Sequence, residues 1–143
     1  MGLFNPNAVF LSDVNLLLQL AILVLLVLGF SFKRRGVYLK HGATMGIAVA
    51  LHTFTIFAIM VPSLLALTGS FENLLAELVI FSHAVLGSLV ELLGLYLVVA
   101  WVSHHQEVKV CLGNKKFMKP TMILWLLELA LGIIVYILLY VPI

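Results

Sequence analysis

Four long apolar runs, separated by short connections, constrain this chain more than any other feature of its sequence. They cover approximately residues 14–32, 42–67, 74–102 and 120–141. Each is long enough to cross a hydrocarbon core of roughly 30 Å, which takes about 20 helical residues. Because a backbone in lipid must satisfy its own hydrogen bonds, the runs predict an all-α integral membrane protein. We expect an antiparallel four-helix transmembrane bundle, one domain over residues 1–143.

Local signals suggest where these helices begin and turn. Ser12 and Asp13 are suited to capping the first helix, and Pro120 suits the opening turn of the fourth, where its missing N–H costs nothing. Residues 68–73 read as a tight turn between the second and third helices. The single cysteine, Cys111, has no second thiol with which to form a disulfide or a thiolate metal site, so we expect it to be inert.

The basic residues are confined to two connections. All eight Lys and Arg residues lie in the first and third connections, at Lys33, Arg34, Arg35, Lys40, Lys109, Lys115, Lys116 and Lys119. By the positive-inside rule both connections are cytoplasmic, so the N- and C-termini are predicted to lie outside. With 64% hydrophobic residues and 10% charged residues, the expected surroundings are the lipid bilayer. The net charge of +2 needs no nucleic-acid partner to explain it.

One polar side chain from each predicted helix lies deep in the hydrocarbon region. Counted at 1.5 Å per residue from the basic ends, these side chains lie on the order of 14–20 Å deep. They are Gln19, His52, Glu91 and Glu128. An ionisable group near the bilayer centre costs about 2.5–3.5 kcal/mol on insertion scales, so we expect the four to turn away from lipid and converge inside the bundle.

Such a level has three interpretations. It is a proton-handling site through Gln19, His52, Glu91 and Glu128, a metal site held by His52, Glu91 and Glu128, or a hydrogen-bond cluster that only fixes helix packing. The helix faces favour convergence, because the deep groups share faces with small or aromatic residues. These faces are His41, Met45 and His52; Ala84, Gly87, Glu91 and Gly94; and Trp125, Glu128, Gly132 and Tyr136.

The histidines suggest a cofactor. His52 and His83 are both deep and lie on adjacent antiparallel helices, from which two imidazoles can clamp a haem iron. Their depths differ by about 6 Å counted from one end and by about 13 Å counted from the other, so this pairing is allowed but not required. The expected cofactor is haem b, otherwise an unknown metal or none. The candidate cofactor-binding residues are His41, Met45, His52, His83, His104 and His105.

Several short motifs occur along the chain in a characteristic order. They are Lys40-His41-Gly42-Ala43-Thr44-Met45, Phe81-Ser82-His83, His104-His105, Trp125, Gly132-Ile133-Ile134-Val135-Tyr136 and Leu139-Tyr140. In this order, and over nearly the whole chain, the sequence resembles the four-helix membrane family called domain of unknown function 420. The matching positions are His41, Met45, His83, His104 or His105, Trp125 and Tyr136. The chain departs from the family's usual apolar residues at His52, Glu91 and Glu128.

The resemblance implies a setting and a partner. Members of that family are associated with respiratory membranes and with haem–copper oxidase genes, and some are implicated in oxidase maturation. The chain is therefore expected in the cytoplasmic membrane of a prokaryote, beside another respiratory complex or as a homo-oligomer.

The leading hypothesis is haem b or a metal in the bundle core, used for electron transfer or redox-linked proton handling. The alternative is a non-enzymatic assembly or interaction factor for a respiratory complex. No nucleophile–base motif points to an enzyme, so no catalytic residue is predicted.

Overall fold

The computed structural model describes residues 10–67 and 74–140, and the predicted turn at 68–73 lies outside them. Four of its helices are long and apolar enough to cross a membrane, Phe10–Arg34, Tyr38–Ala66, Leu74–Ser103 and Lys115–Tyr140. The predicted all-α membrane fold is thus confirmed. In chain order the elements are α1 (Phe10–Arg34), α2 (Tyr38–Thr55), a π-helical segment (Ile56–Met60), α3 (Val61–Leu67), α4 (Leu74–Ser103), α5 (Val108–Gly113) and α6 (Lys115–Tyr140).

The four spans pack as a closed ring. Helix α1 contacts α2, α2 contacts α4, α4 contacts α6, and α6 returns to α1. Large apolar residues such as Val24, Phe57 and Leu92 are exposed on the outside, where lipid is the expected solvent. The core is small and apolar, and it surrounds one tryptophan. It consists of Ile22, Leu26, Ala48, Val49, Val90, Trp125 and Leu129.

The two ends of the bundle differ in chemistry. At the end called here the basic end, α1 finishes with Lys33 and Arg34, which favour a helix C-terminus. Gly36 then takes a left-handed φ of 74°, and the Val37 N–H donates to the Phe32 carbonyl across the turn. At the far end, where α1 begins and α6 finishes, the hydroxyls of Ser12 and Tyr140 lie 2.8 Å apart.

The second span contains a widened turn. Over Ile56–Met60 the backbone is π-helical, and the Val61 N–H donates to the Ile56 carbonyl, five residues back. Pro62 follows directly, and in a regular α-helix its ring would clash with the carbonyl of Ala58. The widened turn relieves that clash and keeps the span continuous. It also lies one turn beyond His52, which ties this irregular backbone to the buried polar level.

Several predicted boundaries are wrong. Helix α6 begins at Lys115, so Pro120 lies inside the helix and not in an opening turn. The chain is already helical at Phe10, so Ser12 and Asp13 lie within α1, and Asp13 is fully buried beside α6. Ser12 and Asp13 therefore serve as interhelical contacts. The short helix α5 was not predicted, because its six residues lie outside the four apolar runs from which the helices were predicted.

Candidate functional site

His52 is the centre of a buried cluster of titratable side chains. It lies in the last turn of α2 and is fully buried. Its Nδ1 lies 2.9 Å from Glu91 Oε2 on α4, a hydrogen bond. Its Nε2 lies 3.8 Å from Glu128 Oε1 on α6. One imidazole therefore contacts two buried carboxylates from two other helices, and the three residues are called the Glu–His–Glu cluster below.

The two carboxylates are held differently. Glu91 accepts hydrogen bonds from His52 and from the hydroxyl of Thr53, so both of its oxygens are engaged. Glu128 is fully buried, yet within the described residues neither of its carboxylate oxygens has a hydrogen-bond partner. Because buried polar groups are nearly always hydrogen-bonded, the Glu128 carboxylate is the unsatisfied member of the cluster.

His83 also lies beside Glu128. Its Nδ1 lies 3.6 Å from Glu128 Oε1 and 3.2 Å from the Glu128 backbone carbonyl, to which it is close enough to donate. Gly132 makes room for this ring, since a Cβ there would lie 3.1 Å from His83 Cε1. His83 is thus a second imidazole beside the same carboxylate.

Gln19 is adjacent to the cluster without contacting its carboxylates. Its side-chain amide donates to the Thr55 hydroxyl at 3.3 Å, and that hydroxyl donates to the His52 carbonyl at 2.8 Å. Of the four residues predicted to converge, the structure therefore brings His52, Glu91 and Glu128 together and places Gln19 one side chain away.

A cavity of about 210 Å³ leads from the far end to this cluster. Its lining runs from Ser12 and Tyr140 down to His83 and Glu128. Asn15 and Gln19 also line it, and each has a buried side-chain oxygen without a hydrogen-bond partner among the described residues. A cavity of this size has room for several water molecules, and the unpaired oxygens in its wall can accept hydrogen bonds from them. This far-end cavity connects Glu128 with one end of the bundle along a wall that includes several polar side chains.

A second cavity, of about 400 Å³, lies toward the basic end. Trp125 forms part of its wall, and the same indole tilts over the His52 ring at 5.2 Å between centroids. The tryptophan thereby separates this basic-end cavity from the cluster. His41 and Met45 line the cavity, and His41 Nδ1 lies 2.8 Å from the Gly29 carbonyl. Cys111 lines it as well, and burial raises the pKa of its thiol, which is then protonated at neutral pH.

The residues of the predicted haem and metal sites in the core occupy the following positions in the structure. His52 Nε2 and His83 Nδ1 lie 3.8 Å and 3.6 Å from the same atom, Glu128 Oε1. Glu91 and Glu128 face different nitrogens of His52, at 2.9 Å and 3.8 Å. Across residues 10–67 and 74–140, no group of three or more His, Cys, Asp or Glu side chains is placed to hold a metal. His104 and His105 are exposed in the connection after α4.

Two contacts near the cluster were not predicted. The Tyr136 hydroxyl donates to Asp13 Oδ1 at 2.5 Å and ties α6 to α1 beside the far-end cavity. The Thr53 hydroxyl donates the second hydrogen bond that the Glu91 carboxylate accepts. Asp13 offered a signal, because a carboxylate next to an apolar run needs a partner, and Tyr136 shared a helical face with Glu128. Nothing in the local sequence paired the two.

Comparison of the chain with protein-family models, with characterised proteins and with solved structures finds no match. The resemblance drawn from the short motifs therefore stays a prediction, and the function is argued from the site alone.

Proposed function

We propose that this protein binds and passes a proton inside the membrane, using the Glu–His–Glu cluster. One observation carries the proposal: a fully buried imidazole contacts two buried carboxylates, and one of these lines a cavity, with several polar side chains in its wall, that leads to the far end. Intramembrane carboxylates paired with histidine are typical of proton relays. The proposal places the proton-handling level at His52, Glu91 and Glu128, with His83 as the neighbour that orients Glu128.

An alternative role for the cluster, in which it only stabilises helix packing, fits the contacts less well. A packing network is stable when every polar member is satisfied, and a half-satisfied network is worse than an apolar core. Glu91 meets this standard, whereas Glu128 and His52 Nε2 do not. Within the cluster, the unsatisfied atoms belong to Glu128 and His52, and a proton shared between them would provide the missing hydrogen bond once the two side chains approach.

The geometry suggests how a proton moves. A proton from the far-end cavity protonates Glu128 at a carboxylate oxygen. Closing the gap from 3.8 Å to hydrogen-bonding distance takes a side-chain shift of about 1 Å, after which the proton passes to His52 Nε2. The proton on His52 Nδ1 can then move to Glu91 Oε2 at 2.9 Å, which returns a neutral imidazole of the other tautomer.

Infrared difference spectroscopy during a pH titration tests the proposal. The wild-type protein should show a protonated carboxyl band that titrates, and Glu128→Gln should remove it, because the amide cannot bind a proton in that range. Glu77→Gln is the matched control, since Glu77 is exposed in the first turn of α4. A titrating band that survives in Glu128→Gln and Glu91→Gln alike would contradict a shared proton site.

The side from which the proton comes follows from orientation. We propose that the basic end is cytoplasmic, as the positive-inside rule predicts, so that the far-end cavity opens away from the cytoplasm. Reporter fusions after residue 143 should then be active only on the outer side in a prokaryotic host. A C-terminal reporter active in the cytoplasm would reverse the orientation and the proton's side of access, while leaving the cluster itself intact.

A further inference from the structure

The basic-end cavity is separate from the proton route and has the make-up of a ligand site. Its walls are mainly apolar and include the two tryptophans of the chain, Trp101 and Trp125. Only a few polar residues line it, chiefly His41, Lys33 and Lys119. Cavities of several hundred Å³ with apolar walls and a few polar groups are where proteins hold small molecules.

His41 is held as a metal-binding histidine is held. It is buried, and because a carbonyl can only accept, its Nδ1 must donate to the Gly29 carbonyl at 2.8 Å. That bond leaves the lone pair on Nε2, for which the described residues provide no hydrogen-bond partner. A backbone carbonyl on one ring nitrogen fixes the tautomer and aims the other nitrogen at a metal in many metalloproteins.

The remaining lining sets the rest of the ligand. Lys33 lies in the last turn of α1 and Lys119 lies near the start of α6, so two basic residues line the cavity at the basic end of the bundle. The walls between them carry Met45, Met122 and the indoles, which are polarisable and suit a flat aromatic body. The matching ligand has a planar apolar body, a metal for the imidazole and acidic groups for the lysines.

We propose that the basic-end cavity binds haem, with His41 Nε2 as an axial ligand and Lys33 and Lys119 pairing with the propionates. A fatty acid would leave the imidazole unused, and a bare metal ion would leave the lysines and the apolar walls unused. This site differs from a haem clamped by two deep histidines, because it uses one imidazole and lies on the other side of Trp125 from the cluster.

Haemin titration of the full chain in lipid nanodiscs tests the proposal. A single saturable site should shift the Soret band and quench the tryptophan fluorescence, because both tryptophans line the cavity. His41→Ala should weaken haemin binding on the order of tenfold or more and alter the Soret position. His104→Ala is the matched control, since His104 is exposed, and it should bind haemin as the wild type does.

Further variants separate ligation from folding. His41→Gly should regain the wild-type Soret position when imidazole is added, and the double variant Lys33→Gln and Lys119→Gln should weaken binding while keeping that position. Glu128→Gln should bind haemin normally, so this proposal stands or fails apart from the proton function. Absence of a saturable site, or a His41→Ala protein that inserts normally and binds haemin as the wild type does, would overturn it. If His41→Ala does not fold, unchanged binding in the lysine variant overturns the proposal.

Discussion

Replacing His52 with leucine should lower the free energy of unfolding by about 3–5 kcal/mol, the usual cost of removing one partner from a buried ion pair. Leucine is close to histidine in size, so the loss comes from polar contacts more than from volume. Without the imidazole, Glu91 loses its 2.9 Å hydrogen bond and Glu128 loses one of the two imidazoles near its Oε1. The measurement is reversible unfolding in mixed micelles.

Two comparisons make this prediction specific to the cluster. His104→Leu changes an exposed histidine outside the spans and should alter stability by less than about 0.5 kcal/mol. Adding Glu91→Gln and Glu128→Gln to His52→Leu should recover much of the loss, because amides carry no charge to bury. Equal losses in the single and triple variants would mean that the three side chains do not interact.

Depth along a helix was predictable because the helical rise is fixed. A rise of 1.5 Å per residue and the basic connections as a shared origin place His52, Glu91 and Glu128 at one level. Desolvation then turns ionisable groups toward the bundle interior, whichever helices are neighbours. The structure brings these three side chains together for those reasons. The same arithmetic gave two answers for His52 and His83, and the structure places both rings beside Glu128.

Contacts that depend on helix rotation and crossing were not predictable. Asp13 and Tyr136 are 123 positions apart, and their hydrogen bond exists because the first turn of α1 crosses the last turns of α6. The orientation of His41 depends on where α2 crosses α1 at Gly29, whose carbonyl the ring meets. Periodicity assigned His41 to a face of its helix, but it carried no information about the acceptor on α1 or about the tautomer that results.

Trp125 connects the two proposals structurally. It is the largest fully buried side chain in the described residues, and it touches the cluster on one side and the basic-end cavity on the other. The far-end cavity reaches Glu128 without passing Trp125, which is absent from its lining. In this arrangement protons reach the cluster from the far end, and the Trp125 indole separates the cluster from the basic-end cavity.

Truncating that indole should therefore have two effects. Trp125→Ala should lower the free energy of unfolding by about 3 kcal/mol, the low end for a buried tryptophan, because a helix unfolded within lipid keeps its apolar surroundings and loses mainly packing. It should also join the basic-end cavity to the cluster. The carboxyl proton should then exchange faster after transfer into deuterium oxide, as followed by the shift of the protonated carboxyl band. Trp125→Phe keeps an aromatic wall and should show a smaller change in both measurements.

Trp101→Ala distinguishes the wall from packing in general. Trp101 is also buried and lines the same cavity, and its indole lies against Gly42, where an added Cβ would collide with it. Its truncation should cost a comparable free energy of unfolding, yet it should leave carboxyl exchange unchanged, because Trp125 still covers His52. Faster exchange in both variants would mean that the bundle loosens as a whole, and unchanged exchange in Trp125→Ala would remove Trp125 as the separating wall.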